Sequence, residues 1–327
     1  MTVLHRLSLL GAALALVGCA SVSPDGLRGD VGQLTAGRTA GVQAALPAAD
    51  AAAKAQAHDS IQRWLAEPLT QDAAVRIALL NNPGLQARLA ALGVADAERV
   101  QAITLPNPHF TLGRFANSHE REIERTLAFS LLDLITLPWR TERQAERLQI
   151  ATLQAAQDVV TLAADTRRAW LRAVAAEQVA ATHERMVEAA EAGTELARRM
   201  ASVGNWSRLQ LAREQAVLHE AHRQRARARL AAATAREDLN RRLGVWGKQA
   251  QYQLAAQLPP LPAAALPADG IETTALRERL DVQAARRQLD TQAVRVGWSR
   301  AGAVFGDIGL AYSRNTTTER GSGHRDT

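Results

Sequence analysis

The ten residues Ala78-Leu79-Leu80-Asn81-Asn82-Pro83-Gly84-Leu85-Gln86-Ala87 return without a gap as Ala275-Leu276-Arg277-Glu278-Arg279-Leu280-Asp281-Val282-Gln283-Ala284. The opening Ala-Leu and the closing Gln-Ala coincide. Each copy lies on a helical pattern, and each runs into a segment where apolar residues alternate with small or polar ones. After the first copy, Phe110 and Leu112 alternate with Thr111 and Gly113. Leu127, Phe129 and Leu131 then alternate with Thr126, Ala128 and Ser130, and the polar stretch Asn117 to Glu124 lies between the two segments. After the second copy, Ile308, Leu310 and Tyr312 alternate with Gly309, Ala311 and Ser313. A unit that repeats in this order reads as an internal duplication of helix and strand. The change of period from near 3.6 to 2 marks the strands, and the first two form a hairpin with one apolar face. Such strands, about ten residues long, suit a transmembrane barrel, and they also suit a soluble hairpin packed on a helix.

Upstream, Thr70 in Leu69-Thr70-Gln71-Asp72 is placed to cap a helix whose apolar residues recur at Val75, Ile77, Ala78, Leu85, Leu89 and Leu92. Pro83 bends or splits that helix, and Leu105-Pro106-Asn107-Pro108 ends it. Downstream, Thr141 to Ala201 and Ser207 to Leu243 are helical patterns without an interior proline, parted only at Val203-Gly204-Asn205. At 1.5 Å per residue the first would run on the order of 90 Å, a length that belongs in a coiled coil or a helical tube. Its stripe is mostly alanine (155, 163, 169, 173, 176 and 180) with larger Leu148, Val159, Leu162 and Trp170, and small residues allow close helix approach. The passage from Leu258-Pro259-Pro260-Leu261-Pro262 to Pro267 reads as a stiff connector.

Cys19, the one cysteine among 327 residues, follows Leu16-Val17-Gly18 at the end of an apolar run that begins at Leu7, behind His5 and Arg6. This is the pattern of a bacterial lipoprotein signal, with residues 1–18 removed and Cys19 lipidated. Ala20 in place of an aspartate favours outer-membrane sorting. Hydrophobic residues make up 47% of the chain, yet no run after Leu16 approaches the ~20 apolar residues of a membrane helix, so a membrane crossing would be made by strands. The net charge of +6 suits nucleic acid or anionic lipid, and export leaves the lipid. Residues Ser21 to Asp50 have little periodicity and read as an extended tether.

Chemistry is sparse. His219 and His222 lie three apart, but no further ligands converge on them, so no metal site is assigned. Arg223, Arg225, Arg227 and Arg229 are two apart and spread around a helix as a solvated or intersubunit surface. No phosphate loop, nucleophile motif or carboxylate pair points to an enzyme, and no cofactor is implied. The turn between the long helices, Met200 to Leu209, offers a contact surface in which Asn205 and Trp206 are expected to be exposed.

Helix, hairpin, long helical hairpin and a second helix with a strand, on a lipoprotein, resemble the TolC family of outer-membrane efflux channel proteins. Ala78-Leu79 followed by Asn82-Pro83 and Leu85 is similar to the family's opening signature. Leu137-Pro138 resembles its strand exit, and Leu239 with Leu243-Gly244 resembles the end of its second long helix. Gly204, soon after Arg199, sits where the family has the tip of its first periplasmic hairpin. The resemblance covers about residue 65 to the end.

The fold it implies is mainly α with a few β-strands, with long helical hairpins forming an α-barrel tunnel and strands contributed to a trimeric transmembrane β-barrel. Its function would be that of a passive conduit in a tripartite efflux system, exporting metal ions, drugs or other small toxic compounds. An inner-membrane pump and a periplasmic adaptor would be the partners, and Ser202, Val203, Gly204, Asn205 and Trp206 would be the adaptor contacts. The expected layout is a signal over 1–18, a tether over 19–64 and a first repeat over 65–257, with its β-hairpin about 107–134 and its helical hairpin about 139–244. A Pro-rich linker over 258–270 and an incomplete second repeat over 271–327 follow. The family's second repeat continues through another strand and helical hairpin, so the sequence also reads as a non-functional, truncated channel fragment. A periplasmic adaptor and a structural coiled-coil lipoprotein are the rival readings; the mostly helical flanks disfavour the first, and the duplication and alternating strands disfavour the second.

Overall fold

The structure is a computed structural model that describes residues 21–39, 42, 51–104, 109–116, 119–264, 269–302, 309–319 and 322–326. Cys19 and the signal segment lie outside the described residues, as do Pro106 to Pro108, Asn117, Pro267 and Ile308. In chain order the elements are α1 (Arg28–Thr35), α2 (Ala51–Ala66), α3 (Gln71–Asn81), α4 (Pro83–Ile103), β1 (His109–Ala116) and β2 (Glu120–Ser130). They continue with α5 (Leu131–Ser202), α6 (Arg208–Leu243), a short 3₁₀ turn Gly247–Ala250, α7 (Ile271–Glu278), α8 (Leu280–Gly302), β3 (Gly309–Glu319) and β4 (Ser322–Asp326). The chain forms two compact units, one of residues 27–90 and 153–280 and one of residues 1–26, 91–152 and 281–327.

The first unit is helical. Its core gathers Ile61 and Leu65 of α2, Leu69, Ile77 and Ala78 around α3, Ala169, Trp170, Ala173 and Val174 of α5, Leu239 and Leu243 of α6, and Tyr252. Trp170 is buried and donates from Nε1 to the Leu69 carbonyl at 2.8 Å, so its indole loses no hydrogen bond on burial. Leu69 also donates its N–H to the Gln253 carbonyl at 2.8 Å, which ties the segment after α6 back to the start of α3. The alanine stripe of α5 is buried at Ala155, Ala163, Ala169 and Ala173, with half-buried Ala176 and Ala180 continuing it.

The duplicated motif has a shared geometry in this unit. The helix breaks at Asn82 (φ −66°, ψ 118°), and its copy breaks at Arg279 (φ −65°, ψ 123°). The N–H of Asn82 bonds to the Ala78 carbonyl, and the N–H of Arg279 bonds to that of Ala275, both at 2.9 Å. The residue types at the break differ while the turn is the same.

The second unit holds one antiparallel sheet in the order β1-β2-β3-β4. Its helical part contains Asp96, a buried carboxylate that accepts from the Ser23 N–H at 2.6 Å and from Arg99 Nε at 2.9 Å. Glu146 of α5 pairs with Arg287 of α8 at 2.9 Å.

Three expectations need correction. The region 19–64 is not simply an extended tether, because α1 and most of α2 lie in it. Alanine is the best helix former, and Ile61 and Leu65, one turn apart, supply a stripe that the core buries. Arg38, just past α1, pairs with Glu278 at 3.1 Å. The helix after the hairpin starts at Leu131 rather than Thr141 and carries Pro138 inside it, so Leu131 is the first helical residue and not the last of a strand. Finally, the stretch Asn117 to Glu124 is not all turn, because β2 begins at Glu120.

Candidate functional site

The sheet has two chemically opposite faces, set by an unbroken register. His109 to Ala116 pair with Ala128 to Arg121, and Glu120 to Ser130 pair with Glu319 to Gly309, without a bulge. Alternation in a pleated strand then assigns every described side chain to a face. Phe110, Leu127 and Tyr312 form one cross-strand row and are 66%, 42% and 69% exposed. The adjoining row is Leu112, Arg125 and Arg314, and the next is Arg114, Ile123 and Thr316. Leu310 extends the apolar end of this face, and Arg121 lies toward the other end. The opposite face carries Glu120, Glu122, Glu124, Thr126 and Ala128 from β2, Ser313 and Asn315 from β3, and His109, Thr111 and the exposed Phe115 from β1.

Contacts agree with that assignment. Asn315 donates from Nδ2 to Glu122 Oε1 at 2.9 Å on the acidic face, and Arg125 donates to Thr316 Oγ1 at 3.2 Å on the other. The sequence reading finds the apolar alternation but misses the charge separation. Its signal is present in Arg121-Glu122-Ile123-Glu124-Arg125, where arginine and glutamate alternate with the strand period.

The second candidate site is the turn between α5 and α6, where the structure brings Ser202, Val203, Gly204, Asn205 and Trp206 together. Gly204 takes a left-handed conformation at φ 81°. Its N–H bonds to the Ala201 carbonyl at 3.1 Å and that of Asn205 to the Met200 carbonyl at 3.0 Å, a Schellman ending that satisfies the last carbonyls of α5. Ser202 Oγ donates to the Arg199 carbonyl at 2.7 Å. α6 then opens with a capping box between Ser207 and Gln210. Ser202 and Asn205 are exposed, as is Val203 at 70%, whereas Trp206 is half-buried and presents only part of its ring. On the stem, Val179 and Met186 lie seven residues apart on α5 and are exposed, and Leu196 of α5 is exposed seven residues before Val203 of the turn.

The other polar candidates are surface groups. His219 is exposed, and His222 lies 3.9 Å from Glu191. Arg223 pairs with Glu220, and Arg225 and Arg229 both reach Glu184. Among the described residues no group of three or more His, Cys, Asp or Glu side chains is placed to hold a metal, and no helix is long and apolar enough to cross a membrane.

No protein-family model and no curated protein matches the chain. Solved structures do. CusC, whose structures concern folding and transmembrane channel formation, aligns at 18% identity and TM-score 0.62 over 79% of this chain and 62% of its own. The CmeC outer membrane channel of Campylobacter jejuni aligns at 17% identity and TM-score 0.63 over 79% and 61%. The open-state MtrE outer membrane channel of Neisseria gonorrhoeae gives 19%, 0.59, 78% and 61%. This chain has the outer-membrane channel fold. It is the fold that the sequence resemblance implied, with a strand sheet and a long helical hairpin. The chain spans 62% of the length of CusC and 61% of the length of CmeC.

Proposed function

We propose that the chain is the outer-membrane channel component of a tripartite efflux system, a passive conduit with no catalytic step. The observation that carries this reading is the two-faced sheet. The exposed row Phe110, Leu127 and Tyr312 suits hydrocarbon, and the glutamate, threonine and alanine face suits a watery lumen. In lipid an open sheet is untenable, because each unpaired backbone group costs several kcal/mol. β1 and β4 are the edges here, so neighbouring protomers, three in a ring, close the barrel.

The exposed apolar pair Val179 and Met186, seven residues apart on α5, supports the same assembly, since such spacing keeps residues on one helix face for a partner helix. Residues Ser202 to Trp206 then contact a periplasmic adaptor, which couples the conduit to an inner-membrane pump. The pump selects the cargo: metal ions, drugs or other small toxic compounds. Cys19 carries the lipid anchor, and the channel resides in the outer membrane and extends into the periplasm.

Spin labels test the reading. Placed singly at Leu112, Leu127, Thr126 and Glu124 in the purified chain reconstituted in lipid, they should alternate. Labels at Leu112 and Leu127 should be relaxed by oxygen, which partitions into lipid, and those at Thr126 and Glu124 by a water-soluble nickel chelate. Equal access of the nickel reagent to all four sites would rule out the barrel.

A further inference from the structure

One face of the sheet gathers arginines beside its apolar row. Arg114, Arg121, Arg125 and Arg314 all fall on the face of Phe110, Leu112 and Leu127, and all four are exposed. Arg125 is the direct cross-strand partner of Arg314. Arg114 is paired with Ile123 and is therefore diagonal to both Arg121 and Arg125. Like charges set opposite one another destabilise a sheet, and diagonal neighbours are within reach of long side chains. Along β2 the glutamates Glu120, Glu122 and Glu124 alternate with the arginines and lie on the other face, while Asp326 of β4, opposite Thr316, takes a register position on the arginine face.

We infer that Arg114, Arg121 and Arg125 bind the phosphate groups of an anionic lipid whose chains lie against Phe110, Leu112 and Leu127. The inference rests on the channel reading, which places this face in the membrane. Charge complementarity selects the headgroup. A guanidinium meets phosphate oxygens with a planar fork of donors, and every basic residue on this face of β1 to β3 is an arginine. The apolar row selects an amphiphile over a free anion. Two residues of strand separate Phe110 from Leu112 and two more separate Leu112 from Arg114, so hydrocarbon and charge lie about 7 Å apart per step. That puts the apolar stripe and the arginines within reach of the chains and phosphates of one lipid.

The test compares partitioning of the full chain between vesicles of phosphatidylcholine alone and vesicles that also contain bis-phosphorylated lipid A. The variant R114Q/R121Q/R125Q is set against R208Q/R213Q/R227Q, which removes the same charge from exposed positions on α6. The chain should prefer the lipid A vesicles. The sheet variant should lose that preference by about fivefold per arginine, on the order of a hundredfold in all, and the α6 variant should keep it. Equal losses in both variants would overturn the site in favour of diffuse attraction by net charge. Loss of the preference in millimolar inorganic phosphate, at constant ionic strength, would overturn it in favour of a free-anion site.

Protection of β2 from added protease reports separately on insertion. Preference for lipid A that depends on these arginines, with β2 still cleaved, would sink the channel and keep the lipid site. Equal insertion into both kinds of vesicle, without a preference, would sink the lipid site and keep the channel.

Discussion

Asn81 donates from Nδ2 to the carbonyl of Gly244 at 2.8 Å and to that of Leu243 at 3.1 Å. Its neighbour Asn82 does the same for Arg242 at 2.9 Å, while its Oδ1 accepts the Leu85 N–H at 3.0 Å. One Asn-Asn pair thus closes the C-terminus of α6 and opens α4. Helix ends leave several carbonyls and N–H groups without partners, and half-buried ends need side chains to supply them. The two sequence marks that lie 162 and 163 residues apart, Asn81-Asn82-Pro83 and Leu243-Gly244, are therefore halves of one joint.

Gly244 should be the least replaceable glycine described. It sits at φ 70°, and a Cβ added there would lie 2.5 Å from the Asn81 carbonyl oxygen, a backbone atom that cannot swing away. Gly204 is also left-handed, at φ 81°, but a Cβ there meets nothing within 4 Å. Gly204→Ala should cost only the left-handed penalty of about 1–2 kcal/mol. Gly244→Ala should cost that and the clash, about 3 kcal/mol or more. Urea unfolding followed by circular dichroism measures both, and equal midpoints for the two variants would show that the joint yields.

Asn82 has two roles that one substitution separates. Asn82→Asp keeps an oxygen for the Leu85 N–H and replaces the donor to α6 by a carboxylate facing carbonyls, at the helix end where negative charge is unfavourable. It should cost about 1–3 kcal/mol. Asn82→Ser retains a capping oxygen without the charge and should cost less. Asn82→Asp as stable as the wild type would mean that the bonds to Arg241 and Arg242 contribute nothing.

Tyr252 gives the fold a dependence on alkaline pH. Burial pushes its phenol from 10.0 up to about 12, against the counter-pull of the Arg236 guanidinium 4.7 Å from the ring centre. Its O–H donates to Asn240 Oδ1 at 2.9 Å, a bond that the phenolate cannot make. The neutral form is favoured in the folded state, so the stabilisation is complete below pH 10.0, the unfolded value, and is lost as pH rises toward about 12. The expected loss is on the order of 2–3 kcal/mol, because each tenfold change in a protonation equilibrium is worth about 1.4 kcal/mol. Tyr252→Phe should flatten the stability curve across that window. A wild-type curve with the same slope as the variant would contradict the burial effect.

The amount of structure legible in the sequence follows from which interactions are local. Thr70 as a cap, the split at Pro83 and the turn at Gly204 are readable because cap and turn chemistry act over a few residues; Thr70 does accept the Ala73 N–H, at 3.2 Å. The matched break at Arg279 is readable only through the surrounding Ala-Leu and Gln-Ala, since arginine and leucine stand where Asn82 and Pro83 do. The start of β2 escapes a sequence reading because glutamate and arginine look like turn residues until the pairing with β3 shows that they occupy opposite faces. α1 and α2 are hidden by alanine and glycine, whose pattern has no period until Ile61 and Leu65 find Trp170 and Leu239 in the core. The half-burial of Trp206 is equally out of reach, because no local rule sets how much of a turn residue its neighbours cover.

Opposite faces of the sheet should differ sharply in their tolerance of charge. Leu127 sits in the apolar row between Phe110 and Tyr312, and Thr126 sits next to it in sequence on the face of Glu124, which accepts a hydrogen bond from Thr126 Oγ1 at 3.4 Å. An arginine on a lipid-facing strand position costs about 2–4 kcal/mol at mid-membrane depth, whereas a lumen position remains solvated. Leu127 lies one strand step from Arg125, part-way from the interface to the midplane, so Leu127→Arg should cost about 1–2 kcal/mol and reduce the membrane-assembled fraction about five- to thirtyfold. Thr126→Arg should leave assembly within a few-fold of wild type, because it places a cation beside Glu124 in water. Heat-resistant oligomer on unboiled gels of density-separated outer membranes gives the ratio directly. If Thr126→Arg were the more damaging of the two, the face assigned to lipid would be the wrong one, and the arginines beside Leu127 would line the lumen instead.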